Sequence, residues 1–270
     1  MTASSRSSSA SANVRGTWSG RSTCHSSWAK GIAISASTDA NGIASVAFLL
    51  DVDNTLLDND RITADLRRFL EQEISPDRAR RYFELFEELR SELGYADYLG
   101  TLQRYRIEHP RDPRVLHLSP YLIDYPFANR LYPESLDVID LLKTIGPVVI
   151  LSDGDVVFQP RKIERSGLWS AVEGNVLIYV HKEHELDDVE ARFPARRYVL
   201  IDDKLRVLDA IKSTWGERVT TIFPRQGHYA HDPRVLADYP PADLTVTRIG
   251  DVLRLERDLL SGRRAARPRI

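Results

Sequence analysis

The chain has 270 residues, with 37 basic and 39 acidic side chains for a formal net charge of −2, and 42% of its residues are hydrophobic. That supports one sizeable core, or a core with a small appended domain, and excludes both a general polycation for nucleic acid and the block of positive charge that an anionic membrane attracts. A single cysteine, Cys24, excludes an intramolecular disulfide framework and a thiolate metal cage and fits a reducing, cytoplasmic setting, while the longest apolar runs, 46–50 and 147–151, fall far below bilayer-spanning length.

Residues 1–45 carry thirteen serines, four basic residues (Arg6, Arg15, Arg21 and Lys30), one acid (Asp39) and no helical periodicity. The segment reads as a flexible extension, lacking both the amphipathic apolar face of a transit peptide and the apolar run of a secretory signal. Beyond it, short apolar runs alternate with helical periods. Candidate strands are 46–50 (VAFLL), 147–151 (PVVIL), 176–180 (VLIYV), 198–201 (YVLI), 219–223 (VTTIF) and 244–247 (LTVT). Most are apolar without alternation, as strands covered by helices on both faces are. Between several of them lies helical spacing, as in 133–145, where Leu136, Ile139 and Leu142 share a face and Pro133 suits a first helical turn. The pattern predicts an α/β fold built on an open, mostly parallel, Rossmann-like sheet.

The first and second strands are separated by about a hundred residues, far more than one crossover helix needs. Within that stretch, Ser75-Pro76-Asp77 places an N-cap before a proline at the first helical position, and Tyr82, Phe86, Leu89 and Leu93 form a stripe that ends at Gly94. A further helix is predicted over 97–108, ahead of Pro110, Pro113 and Pro120. Residues 61–130 are therefore expected to form a helical insert above a core made of 46–60 and 131–255. The same helices could instead extend the core's own helical layer. A basic tail, 256–270, carries Arg263, Arg264, Arg267 and Arg269 and reads as a solvated end.

The first strand runs straight into Asp51-Val52-Asp53-Asn54-Thr55, and ligands of open α/β sheets bind outside the carboxyl ends of the strands. Asp51 and Asp53, two apart in an extended segment, point the same way and repel unless they share a proton or bind a cation, for which Mg²⁺ is suited. The same residues also suit an Asx-type turn. Three further strand ends decide between the two. The second ends in Leu151-Ser152-Asp153-Gly154, Lys182 follows the third, and the fourth ends in Ile201-Asp202-Asp203-Lys204. Two pairs of carboxylates, a hydroxyl and a lysine thus recur immediately after candidate strands.

This ordered set resembles the four motifs of the haloacid dehalogenase superfamily over residues 46 to about 225, with the insert placed where that superfamily carries a helical cap of the first type. The resemblance implies a Mg²⁺-dependent phosphomonoesterase. Asp51 would be the nucleophile that takes up the phosphoryl group, Asp53 the general acid/base, and Thr55 the end of the first motif. Ser152 and Lys182 would bind phosphoryl oxygens; Asp51, the backbone carbonyl of Asp53, Asp202 and Asp203 would hold or support the metal. Lys182 is followed by Glu183 where many capped members have Lys-Pro, and Lys162 remains a rival for its role. Members that displace halide lack the second aspartate, so Asp53 favours phosphoryl transfer. A small phosphorylated metabolite is expected as substrate, with no nucleic-acid or membrane partner. A phosphotransferase, a phosphomutase or a noncatalytic binding module of the same fold stand as alternatives, the last predicting a missing chemical residue that the sequence does not show. Tyr95, Tyr98, Arg104, Tyr105 and Arg106 in the insert, and the loop 225–229 with His228, are candidates to rim the site or to form ordinary packing and solvated faces.

Overall fold

The computed structural model describes residues 43–260. The expected N-terminal extension, Cys24 and the arginines of the C-terminal tail lie outside the described residues. Six parallel strands form one sheet in the order β3-β2-β1-β4-β5-β6, with β1 at Ala44–Leu50, β2 at Val148–Asp153, β3 at Val176–Tyr179, β4 at Ala195–Ile201, β5 at Val219–Pro224 and β6 at Leu244–Val246. Every predicted strand forms, with its ends moved by up to three residues. Val180 falls outside β3 and is 52% exposed.

The unbroken apolar runs have a direct structural cause. Successive strand residues face opposite sides, and both sides are covered. Val46, Phe48 and Leu50 of β1, Val148 and Ile150 of β2, and Val199 and Ile201 of β4 enter one core; Ala47, Leu49, Val149, Leu151, Tyr198 and Leu200 enter the other. The second core is closed by α8 (Leu186–Arg192) and α9 (Leu205–Trp215), through Leu186, Val189, Leu208, Ile211 and Trp215. The first is closed by α5 (Ser135–Lys143), α6 (Phe158–Arg165) and α7 (Leu168–Ala171).

The insertion contributes α1 (Asn59–Glu73), α2 (Pro76–Leu93), α3 (Tyr98–Glu108) and α4 (Leu118–Ile123), with short 3₁₀ turns at Pro113–His117 and Phe127–Arg130. Ser75 accepts from the Arg78 N–H at the start of α2, Pro76 takes the first helical position, and Gly94 ends the helix at φ 81°. Such a left-handed cap favours glycine. Ile62, Leu66, Tyr82, Phe86, Tyr98, Leu102 and Leu118 of these helices join the same core as one face of the sheet. Small helices α10 (Pro233–Asp238) and α11 (Arg257–Leu260) complete the described chain, and among the described residues no helix is long and apolar enough to cross a membrane.

α5 corrects one expectation. Glu134, at φ 69°, holds the N-cap position, so Pro133 precedes the helix rather than opening it. The buried stripe is Ser135, Val138, Ile139 and Leu142, which leaves Leu136 43% exposed. Positions i, i+3, i+4 and i+7 share a helical face, and 136 lies off that stripe.

Asp65 of α1 ties the ends of the insertion together. It accepts from the Tyr125 hydroxyl at 2.6 Å and from Arg130 Nη2 at 2.6 Å. Burial opposes its ionisation, but Tyr125 and Arg130 outweigh it and hold the carboxyl below its usual 3.8. A lowered folded-state pKa stabilises above the unfolded value and loses that contribution as pH falls through the folded one. Asp65→Asn is expected to cost about 1–2 kcal/mol in urea unfolding at pH 7, a cost that shrinks as pH falls below 3.8 through the lowered folded-state value. An equal cost at pH 7 and in that acid range would contradict the ionic account.

Candidate active site

β1 lies between β2 and β4, so the chain departs to opposite sides of it, and the crevice at the carboxyl ends of these strands is where such a sheet binds ligands. The strand stops at Leu50, and the chain coils: Leu56 N–H and Leu57 N–H both donate to Val52 O, at 2.9 and 3.0 Å, and Asn54 takes φ 60°. Gln226 steadies this loop by donating to the carbonyls of Asn54 and Thr55 at 3.4 and 3.1 Å. Gly227, at φ 67°, packs so close that a Cβ there would sit 2.5 Å from that of Asn54.

At the bottom of the crevice, the Lys182 ammonium lies 2.6 Å from Asp51 Oδ1 and 2.6 Å from Asp202 Oδ2, and donates to the Leu151 carbonyl at 3.1 Å. Its own backbone N–H is held by Asp153 Oδ1 at 2.8 Å. Thr55 Oγ donates to Asp51 Oδ2 at 3.2 Å and accepts from the Asp203 N–H at 3.0 Å, linking the first loop to the fourth. Lys182, Asp202 and Asp203 are fully buried and Asp51 is 2% exposed.

The charges do not balance. Asp51, Asp202 and Asp203 bring carboxylate oxygens within 4.8 Å of one another, and both oxygens of Asp203 are buried without a hydrogen-bond partner. Burial pushes the Asp202 carboxyl up to about 6 against the pull of Lys182, and burial pushes Asp203 well up, with Asp51 and Asp202 adding to the effect. Burial works against the Lys182 ammonium, yet Asp202, Asp51 and Asp153 keep it protonated. Such an all-oxygen set with unused lone pairs fits a hard divalent cation.

Asp53 stands apart from this centre. Lys162 Nζ holds it with both carboxylate oxygens, at 2.8 and 2.9 Å, and also donates to Asn59 Oδ1 at 3.1 Å. Gln159, one turn before Lys162 on α6, donates to Ser152 Oγ at 2.9 Å and to Asp53 Oδ2 at 3.4 Å. The expectation that a shared proton or cation relieves the two aspartates is thus met differently: each has its own lysine. Lys182 is the one that reaches Asp51, and Lys162 the one that reaches Asp53. Asp53, 24% exposed at its side chain, faces a cavity of about 250 Å³ lined also by Tyr95, Tyr98, Lys204, Arg206, Tyr229 and Tyr239.

Of the residues proposed to rim the site, Tyr95 and Tyr98 do so, whereas Arg104 pairs with Glu92 at 2.5 Å, Tyr105 is buried and Arg106 is exposed. His228 binds Asp60 through its N–H at 2.8 Å and its Nδ1 at 2.7 Å. Gln159, Asn59 and Lys204 escaped sequence reasoning. The first had a signal: Gln159 and Lys162 are three apart in the helix directly after β2, so they share a face at the site.

Removing Lys182 strands two buried carboxylates. Lys182→Met is expected to cost about 3–5 kcal/mol in urea unfolding with EDTA present. A loss under 1 kcal/mol would show that the buried ion pairs are not as described.

A scan against protein-family models finds no match to this chain, and a search of curated proteins finds none. Solved structures do match. One described as a haloacid dehalogenase-like hydrolase of Burkholderia xenovorans LB400 is 61% identical, with TM-score 0.76 over 78% of this chain and 99% of that one. The fold is shared by the HAD-hydrolase YfnB of Bacillus subtilis, solved with magnesium bound, at 15% identity and TM-score 0.52 over 77% and 96% of the two chains. It is shared too by an L-2-haloacid dehalogenase of Xanthobacter autotrophicus, at 17% identity and TM-score 0.54 over 78% and 98%. On the identity and coverage of the first of these, the chain belongs to the haloacid dehalogenase-like hydrolases.

Proposed function

We propose that this hydrolase is a Mg²⁺-dependent phosphomonoesterase acting on a small phosphorylated metabolite. The observation that carries the reading is Asp53, a second carboxylate placed at the cavity while Asp51 lies buried beside Lys182. Displacing phosphate from an ester creates an alkoxide that needs a proton, whereas displacing halide from carbon does not.

In this reading Asp51 Oδ attacks phosphorus, the ester P–O bond breaks, and Asp53 acts as the general acid through which a proton reaches the departing oxygen. Asp53 then takes a proton from the water that attacks the phosphoryl-aspartate, which returns Asp51 and releases inorganic phosphate. Lys182 and Ser152 offer charge and hydroxyl to the phosphoryl oxygens. Lys162 and Gln159 fix where the Asp53 carboxyl sits. The unpartnered oxygens of Asp203, with Asp51 and Asp202, fit Mg²⁺, which would supply charge neutralisation between carboxylate and phosphate. The insertion, whose Tyr95 and Tyr98 line the cavity, serves as the cap that shapes it around the leaving group.

Phosphate release from a panel of phosphomonoesters is expected with Mg²⁺ and not with EDTA, and Asp51→Asn should lower kcat at least about 10³-fold. Asp53→Asn should slow alkyl phosphates about tenfold more than p-nitrophenyl phosphate, whose leaving group needs little protonation. Turnover of 2-haloacids in place of phosphate esters would overturn the reading. For the metal, Asp203→Asn should raise the melting temperature in EDTA, at roughly 2–4 °C per kcal/mol of relieved repulsion, and abolish the rise that Mg²⁺ gives the unaltered protein. A Mg²⁺ shift that survives Asp203→Asn would move the metal elsewhere.

A further inference from the structure

The cavity before Asp53 carries three cations, Lys162, Lys204 and Arg206. Two are spoken for. Lys162 is held by Asp53, and Arg206 pairs with the buried carboxylate of Glu183. Lys204 differs: its backbone N–H donates to Asp202 Oδ1 at 2.8 Å, but among the described residues its ammonium has no hydrogen bond and no ion pair. It lines both this cavity and the adjoining one that runs along Asn59, Asp60 and Arg90.

An ammonium set among protein atoms without a partner is costly unless charge elsewhere compensates it. The space it faces is walled by Tyr95, Tyr98, Tyr229 and Tyr239. Lys182 already serves the innermost position, against Asp51. With the adjoining cavity of about 660 Å³, which shares Asp53, Tyr95, Tyr98 and Tyr229 with it, this space falls in the range of pockets for small metabolites.

We propose that Lys204 is the specificity residue for a second anionic group on the substrate, so that the substrate is a small phosphomonoester whose leaving group itself carries a carboxylate or phosphate flanked by the cavity's tyrosines. This rests on the phosphomonoesterase reading, and it adds an anion site distinct from that of the transferring phosphoryl group.

The test compares binding of phenylphosphonate, 4-carboxyphenylphosphonate and 1,4-phenylenediphosphonate to the full chain with Mg²⁺, by calorimetry. A charge-assisted contact is expected to tighten one or both of the doubly anionic ligands about ten- to hundredfold over phenylphosphonate, and which one gains more distinguishes a carboxylate from a phosphate. Lys204→Met should reduce that preference to within about threefold, and Lys204→Arg should retain most of it. Equal affinity of the unaltered protein for all three ligands overturns the proposal without recourse to any variant. So does a Lys204→Met variant that weakens all three alike, which would place the lysine on the transferring phosphoryl. Turnover separates the two layers. Equal kcat/KM on phenyl and 4-carboxyphenyl phosphate, with equal phosphonate affinities, removes the anion site and leaves the phosphatase. Retained preference for the doubly anionic phosphonates, with no phosphomonoester turned over, supports the anion site and removes the phosphatase.

Discussion

Three carboxylates buried at one edge of a sheet, with one lysine directly between two of them, are the constraint on which the rest depends. Asp51, Asp202 and Asp203 lie within 4.8 Å of one another, and Lys182 neutralises only part of that charge. An arrangement so unfavourable in isolation persists because the surrounding structure enforces it. Parallel register between β1 and β4, pairing Leu50 with Ile201, sets the strand ends side by side, and Thr55 fastens the two loops to each other. Two helical layers exclude water from both faces of the sheet. The unspent negative charge then becomes a binding property of the site.

A second ion pair divides the labour. Lys162 holds Asp53 out at the cavity while Lys182 holds Asp51 within, so two aspartates only two residues apart meet different surroundings. In the proposed reaction the buried one attacks and the half-open one exchanges protons with the leaving group and water. Between them stands Val52, whose carbonyl accepts from the N–H groups of Leu56 and Leu57 as the chain leaves the strand and coils.

Much of this was legible in the sequence because its causes are local. Strands buried on both faces must be apolar throughout, so β1, β2 and β4 could be read from runs such as VAFLL and YVLI, whereas the edge strands β3 and β6 are only partly buried. A reactive side chain directly after a strand in a parallel sheet can only lie at the carboxyl edge, which placed Asp51, Ser152, Lys182 and the Asp202–Asp203 pair together before any coordinates. The start of α5 was misread because Glu134 adopts a positive φ that nothing in Tyr132-Pro133-Glu134 announces. The partner of each lysine was not legible either. Lys162 meets Asp53 across 109 residues and Lys182 meets Asp51 across 131, contacts fixed by strand order and not by spacing.

The central claim is that Asp51 attacks phosphorus and not carbon, and the path of the hydrolytic water's oxygen decides it. Turnover is run in H₂¹⁸O with whichever ester or haloacid the protein consumes, and both the product and the Asp51 peptide are weighed by mass spectrometry. The account predicts ¹⁸O in the released phosphate and none in Asp51, because water attacks the phosphorus of the intermediate. Incorporation of ¹⁸O into the Asp51 carboxylate would mean that water attacked the carboxyl carbon of an ester formed on Asp51, and would contradict it.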